Sequence, residues 1–213
     1  MEYMMETDNQ VESWQEVTLL YNAALKQINT RLEILNDEFQ HVHQYNPIEH
    51  IKSRIKTSES IVKKLKRHGY ESTIQNMVKY VNDIAGIRVI CSFTSDIYRI
   101  AEMIRLQNDI RVVAVKDYIR VPKASGYKSY HMLVTVPVFL SDRTVNVKVE
   151  TQIRTVAMDF WASLEHKINY KFEGHAPEHV KESLVECSRM VAELDNRMQE
   201  LNEEIKELSG EKS

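Results

Sequence analysis

Nine apolar residues near the C-terminus, Val180, Leu184, Cys187, Val191, Leu194, Met198, Leu201, Ile205 and Leu208, fall alternately four and three positions apart. Helical geometry alone turns that spacing into one continuous stripe, and a seam of this length calls for a second helix to cover it. The chain should therefore end in a long helix packed either on its own N-terminal helix or on one from a second copy. The other end carries a related pattern. Apolar residues at 14, 17, 21, 25, 28, 32, 35 and 39 predict a long amphipathic helix from Trp14 to Phe39, broken at Tyr45-Asn46-Pro47.

Between the two helices the period changes. A short segment from Ile48 to Lys56 leads to a Thr57-Ser58 helix cap, a basic helix that stops at Gly69, and a further helix over Ser72 to Val81. The β-branched run "IAGIRVICSF" (84–93) predicts a buried strand, followed by a helix over 96–107 and a strand over 110–115. Tyr127 to Val136 alternates with period two and places Tyr127 and His131 on one strand face. "TVNVKVETQIR" alternates again, with Asn146, Lys148, Glu150 and Gln152 opposite an apolar face. A helix over 155–171 and a break at "FEGHAP" complete the pattern. Strands interleaved with helices and bracketed by long helices predict an α/β or α+β fold.

Composition closes off several classes of function. Five glycines, each at least 17 residues from the next, cannot form a dinucleotide-binding turn or a P-loop. A net charge of −3 speaks against bulk attraction to nucleic acid or to a membrane surface. Two cysteines give neither a disulfide framework nor a zinc pattern. With no signal peptide and no long apolar run, the expectation is a cytoplasmic protein with no membrane contact. His41-x-His43 and His175-x-x-x-His179 lack the helical context of a metal site and read as surface histidines.

Four polar groupings remain. Arg54, Lys56, Ser60 and Lys64 ring a helix N-terminus, which suits an anion but also describes a solvated basic face. Asp83 and Arg88 flank a buried strand, as an internal ion pair or as ligand groups. Glu150 next to Asp83 would form a magnesium-type carboxylate pair, although a solvent-facing strand shows the same alternation. Tyr127 and His131, with Lys116, Lys123 and Lys128 nearby, describe either a structural pair or a stacking surface beside cations. Taken together they describe a cleft fit for a phosphorylated purine.

The segments "SRIKTSESIVKKL", "DIAGIRVIC", "DYIRVPKASGYKSYH" and "VKVETQIRTVAMDFWASLEHKINYK" resemble, in order, the RelA/SpoT-type (p)ppGpp synthetases over Pro47 to Gly174. The length is similar to the stand-alone small alarmone synthetases, RelP- and RelQ-like, and "YNPIEHIKSRIKT" is closer to the RelP branch. The resemblance implies a nucleotidyltransferase-like mixed β-sheet flanked by helices. It divides the chain into an N-terminal helical extension (1–46), a synthetase domain (47–174) and a C-terminal oligomerisation helix (175–213).

The activity implied is transfer of the β,γ-pyrophosphate of ATP to the 3′-hydroxyl of GDP or GTP, with Mg²⁺. By position, Arg54 and Arg88 would sandwich adenine, while Lys56, Ser60 and Lys64 would hold the ATP phosphates. Asp83 and Glu150 would hold Mg²⁺, and Glu150 would activate the hydroxyl. Tyr127 would stack on guanine, with Lys123, His131, Gln152 and Lys116 on the acceptor nucleotide. Glu165 and Asn169 match the family without an assigned role. No His-Asp dipeptide of the family's hydrolase site occurs, so synthesis without hydrolysis is expected.

A homotetramer built on the terminal helices is expected. The product-activated branch has an aromatic where this chain has His50 and an Asn where it has Asp159. The added carboxylate is expected to repel a polyphosphate there, leaving the enzyme insensitive to pppGpp. The competing expectation is an inactive module that binds nucleotide or single-stranded RNA; a coiled-coil interaction protein would leave the cleft residues unexplained.

Overall fold

The computed structural model describes residues 13–172 and 176–209. Helix α1 (Trp14–His43) opens at Ser13, whose hydroxyl accepts from the Glu16 N–H. The predicted stripe is its buried face: Val17, Tyr21, Leu25, Ile28 and Leu32 enter the core, joined by Leu20 and Ala24. A wider stripe than a bare seam suits a helix lying on a sheet, and α1 packs against four of the five strands.

The segment 48–56, left without an element by periodicity, forms strand β1 (Ile48–Ile55). It is a sheet edge, mostly exposed, so only Ile48, Ile51 and Ile55 carry apolar signal. Helix α2 (Ser58–Arg67) is capped by Thr57, and helix α3 (Ile74–Tyr80) by Thr73. Strand β2 (Ala85–Cys91), helix α4 (Thr94–Arg105) and strand β3 (Arg111–Asp117) follow. Strand β4 (Tyr130–Phe139) begins three residues later than its alternation suggested, so Tyr127 lies in the preceding loop. Strand β5 (Thr144–Thr155) runs directly into helix α5 (Val156–Lys171), and helix α6 (Glu178–Ser209) completes the chain.

The sheet is mixed, in the order β1-β2-β5-β4-β3. Only β2 and β5 pair in parallel; the other neighbours are antiparallel. Val145, Val147, Val149, Thr151 and Ile153 of β5 are buried, as alternation required. The fold is thus the expected mixed α+β architecture.

Of the two partners expected for helix α6, the N-terminal helix is not the one it packs on. Its main contacts are with α5 and α4 rather than α1. The face it turns inward carries Ser188 and Asp195, while Leu194, Met198, Leu201, Ile205 and Leu208 of the heptad seam stay exposed. Docking is polar and directional. Trp161 Nε1 donates to the Leu184 carbonyl at 2.9 Å, and Ser95 N–H donates to Gln199 Oε1 at 3.2 Å. Thr155 Oγ1 donates to Asp195 Oδ2 at 2.7 Å, and the same hydroxyl accepts from Met158 N–H, capping α5.

Burial pushes the Asp195 carboxyl above its ordinary range, against the opposing effects of the Thr155 hydroxyl and Lys128. A raised folded-state value means stability that is complete at acid pH and lost as pH rises through it. Asp195→Asn keeps an acceptor for Thr155 and cannot ionise. It should raise the Tm at pH 8, with the gain fading as pH falls towards about 4. A gain independent of pH would show that the Asp195 charge carries no such cost.

Candidate active site

The register of the sheet lines up five side chains. Lys52 of β1 lies opposite Arg88 of β2, Arg88 beside Gln152 of β5, Gln152 opposite His131 of β4, and His131 opposite Lys116 of β3. Two residues along β5, in the neighbouring row of the same face, Glu150 lies beside Gly86, itself opposite Arg54. A cleft of about 280 Å³ opens on this face between Lys52, Arg54, Gly86, Arg88, Glu150 and Gln152. Arg54 and Arg88 are diagonal neighbours across the β1–β2 pair, with side-chain-free Gly86 between them. Diagonal positions are roughly 7–8 Å apart. That spacing admits one flat ring between two planar guanidinium groups, at van der Waals distance from each.

The face read as one that could simply face solvent is therefore half-buried and populated by paired groups. Nor do Asp83 and Arg88 form an internal pair. Asp83, in the turn before β2, accepts from Lys56 Nζ at 2.7 Å and from Lys64 Nζ at 2.8 Å. Lys56 sits just ahead of the α2 cap, its backbone N–H fixed on the Ile84 carbonyl at 2.8 Å. Lys64 lies deeper in α2, and helical side chains lean towards the N-terminus, so both ammonium groups converge on one carboxylate. Burial alone would push Asp83 up, but the two lysines outweigh it and hold the carboxyl below its usual range. Ser60, exposed at the start of α2, accepts from the Thr57 hydroxyl at 2.9 Å.

On the far side, Glu150 Oε2 accepts from Gln152 Nε2 at 2.9 Å, and its Oε1 lies 3.7 Å from His131 Nδ1. Burial again pushes the carboxyl up, and again the hydrogen bonds win: His131 and Gln152 hold Glu150 below its usual range. His131 Nε2 is 2.8 Å from the Tyr127 hydroxyl, so the two residues meet although Tyr127 is not on the strand. The Tyr127 ring has Lys123 Nζ at 4.7 Å and the Arg154 guanidinium at 5.0 Å from its centroid, with Tyr118 edge-on. Lys116 stands exposed at the end of the row on β3, and Lys128 does not join the cluster. Glu165 lines a larger cavity of about 720 Å³ between the 124–125 loop, α5 and α6, away from the row. That cavity carries Glu178, Glu182 and Glu186 against Lys181 and Arg189, a poor lining for phosphates. The Asn169 side chain and His175 fall outside the described residues.

The sequence reading missed Arg154 and took Asp159 only as a charge that repels a polyphosphate. Arg154 continues the alternation of Asn146, Lys148, Glu150 and Gln152, and that continuity was the available signal. Asp159, one turn into α5, pairs with both Arg88 and Arg154. It is therefore not a free carboxylate, and the argument that it would repel a polyphosphate does not hold.

Among the described residues no group of three or more His, Cys, Asp or Glu side chains could hold a metal. What the face offers is two carboxylates, Asp83 and Glu150, near enough that the charge of Asp83 raises Glu150. Two hard oxygen donors with no nitrogen or sulfur cage fit Mg²⁺, which keeps several waters and takes the rest of its shell from phosphates.

Gly126, next to Tyr127, has φ +88°, and a Cβ there would meet Ser188 Cβ at 2.7 Å and its Oγ at 2.8 Å. Ser188 also donates to the Gly126 carbonyl. The space at this glycine is thus filled by α6.

A model of the region found in RelA and SpoT proteins matches residues 53–175. The chain is 46% identical over 195 residues to the GTP pyrophosphokinase YwaC of Bacillus subtilis, covering 92% of this chain and 93% of that protein. It is 36% identical to the GTP pyrophosphokinase YjbM of the same organism, over 92% of each chain. Among solved structures it resembles small alarmone synthetase 2 of B. subtilis, with a TM-score of 0.83 and 44% identity over 91% of this chain and 100% of that one. It also resembles small alarmone synthetase 1 of B. subtilis bound to its product pppGpp, with a TM-score of 0.84 and 35% identity over 91% and 98%.

Gly69 has φ +78° with nothing within 4 Å of a Cβ, so it provides a control for Gly126. Gly69→Ala should cost backbone strain alone, about 1 kcal/mol. Gly126→Ala should cost that plus about 1–3 kcal/mol of overlap with α6, read by urea unfolding. Equal losses would mean that α6 yields freely at Ser188.

Proposed function

This protein is a member of the RelA/SpoT family, and we propose that it makes (p)ppGpp by moving the β,γ-pyrophosphate of ATP to the 3′-hydroxyl of GDP or GTP. The observation that carries the reading is the convergence, on one sheet face, of a lysine-capped carboxylate and a second carboxylate held by His131 and Gln152. Relatives that match almost the whole chain are named GTP pyrophosphokinases.

The roles proposed are those that the family resemblance implies, and the geometry supports them. The diagonal slot between Arg54 and Arg88 takes the adenine ring. Lys56 and Lys64, with Ser60, take the ATP phosphates, which compete with Asp83 for the two ammonium groups. Asp83 and Glu150 would hold Mg²⁺, which when bound neutralises charge on the transferring phosphates. Tyr127 stacks on the guanine, and Lys123, His131, Gln152 and, at the sheet edge, Lys116 orient the acceptor. The acceptor O3′ attacks the β-phosphorus of ATP in line, the bond from that phosphorus to the α,β-bridging oxygen breaks, and AMP leaves. Glu150, held ionised at neutral pH by its hydrogen bonds, takes the hydroxyl proton. The absence of a His-Asp dipeptide supports synthesis without hydrolysis.

The assembly proposed is a homotetramer on the terminal helices. Its support is the exposed seam of α6, where Leu194 is 61%, Ile205 63% and Leu208 82% accessible. Among the described residues no helix is long and apolar enough to cross a membrane, and the reaction is assigned to the cytoplasm.

Incubation with γ-labelled ATP, Mg²⁺ and GDP or GTP should yield labelled ppGpp or pppGpp, and chelation of the metal should stop it. Glu150→Gln should lower the rate by roughly a hundred- to ten-thousand-fold. Tyr127→Ala should raise the KM for the guanine nucleotide by about tenfold and leave that for ATP unchanged. Nucleotide binding without product would leave a binding module in place of an enzyme. Sedimentation as a monomer would remove the tetramer.

A further inference from the structure

Arg154 closes strand β5 on the same face as Glu150 and Gln152, yet it is only 3% exposed and cannot reach a substrate. All three nitrogens of its guanidinium donate, in four hydrogen bonds. Nε donates to Ser129 Oγ at 3.3 Å, Nη1 to Asp159 Oδ1 at 3.1 Å, and Nη2 to Gln152 Oε1 at 2.9 Å and to the Tyr127 hydroxyl. Asp159 is mostly enclosed, its side chain 13% exposed, and the same Oδ1 lies 3.1 Å from Nη1 of Arg88.

The contacts form a continuous path from the β1–β2 slot through Arg88, Asp159 and Arg154 to Tyr127 and Gln152. Two guanidinium groups this close repel each other. Burial and the charge of Arg154 both loosen the Arg88 proton, and Asp159 opposes them. Apolar side chains of similar volume would hold a fold at least as well as a buried ion cluster. What the charged cluster adds is direction, because a guanidinium fork fixes the plane and the angle of each group it grips.

We propose that Arg154 and Asp159 are a buried positioning pair that sets Arg88 on the donor side and Tyr127 and Gln152 on the acceptor side in one register. The inference rests on the donor and acceptor roles assigned above. Arg154 touches the acceptor groups directly and reaches Arg88 only through Asp159, whereas Asp159 holds both Arg88 and Arg154 directly. That asymmetry makes the pair separable.

Calorimetric titration of the full-length protein with GDP and with a non-hydrolysable ATP analogue reads the two sides without turnover. Asp159→Asn should weaken both ligands about tenfold, the loss expected for charge-assisted hydrogen bonds reduced to neutral ones. Arg154→Lys keeps the charge but cannot span four partners. It should weaken GDP about tenfold and the ATP analogue markedly less. A merely structural role would lower the Tm of both variants and leave both dissociation constants at their wild-type values, and that result overturns the proposal. So does an equal loss for both ligands in Arg154→Lys, which alone decides the matter if Asp159→Asn does not fold. Wild-type protein that binds both nucleotides but forms no (p)ppGpp overturns the catalytic reading and leaves this test standing. Wild-type protein that binds neither overturns both.

Discussion

A sheet that buries apolar residues on one face and gathers Arg, Glu, Gln and His on the other can exist only if its central strand is held in a single register. β5 is that strand, paired in parallel with β2 and antiparallel with β4. A slip of one residue would put Val149 and Thr151 in the cleft and Glu150 and Gln152 in the core, at the cost of burying an unpaired charge. The apolar face thus locks the polar face in place. Every geometric relation in the site, from the Arg54–Arg88 slot to the contact of His131 with Glu150, inherits its precision from that lock.

The second constraint is charge. Three carboxylates lie on or beside this face, and each is held by groups of the same site: Asp83 by Lys56 and Lys64, Glu150 by His131 and Gln152, Asp159 by Arg88 and Arg154. The ligand-free protein therefore keeps its cations partnered rather than leaving them to repel one another. A polyanionic ligand then exchanges one set of partners for another. Only the Arg154–Asp159 pair, its side chains 4% and 13% exposed, lies too deep to be exchanged, and it is the one suited to a permanent frame.

Helices and central strands were legible because burial imposes a period, and the period of α1, β2 and β5 survives in the residue order. β1 was not, since an exposed edge strand needs few apolar residues and so leaves little pattern. The docking face of α6 was hidden for the opposite reason: its apolar stripe is the exposed one, and Ser188 and Asp195 dock through hydrogen bonds that no periodicity announces. In the site, alternation put Glu150 and Gln152 on one face, whereas their neighbours Arg88 and His131 come from strands whose register is a tertiary property. The resemblance to known synthetases named most of the chemical groups. It was silent on Arg154 and on the partners of Asp159, two residues whose importance lies in whom they touch.

The single parallel pair also divides the chain in time. β1 and β2, with the lysines of α2, come from residues 48–91, while β3, β4 and β5, with Tyr127 and Glu150, come from 111–155. β4 and β5 meet across a short turn from Phe139 to Thr144, and β3 lies next to β4 in both sequence and space. Each half can close through contacts within its own span, but β2 and β5 can pair only after the whole intervening segment has folded back, a closure of high sequence separation. Donor and acceptor groups meet only across that pair. A chain stalled before this step would hold two well-formed halves and no active site, so during folding the capacity for chemistry arrives last.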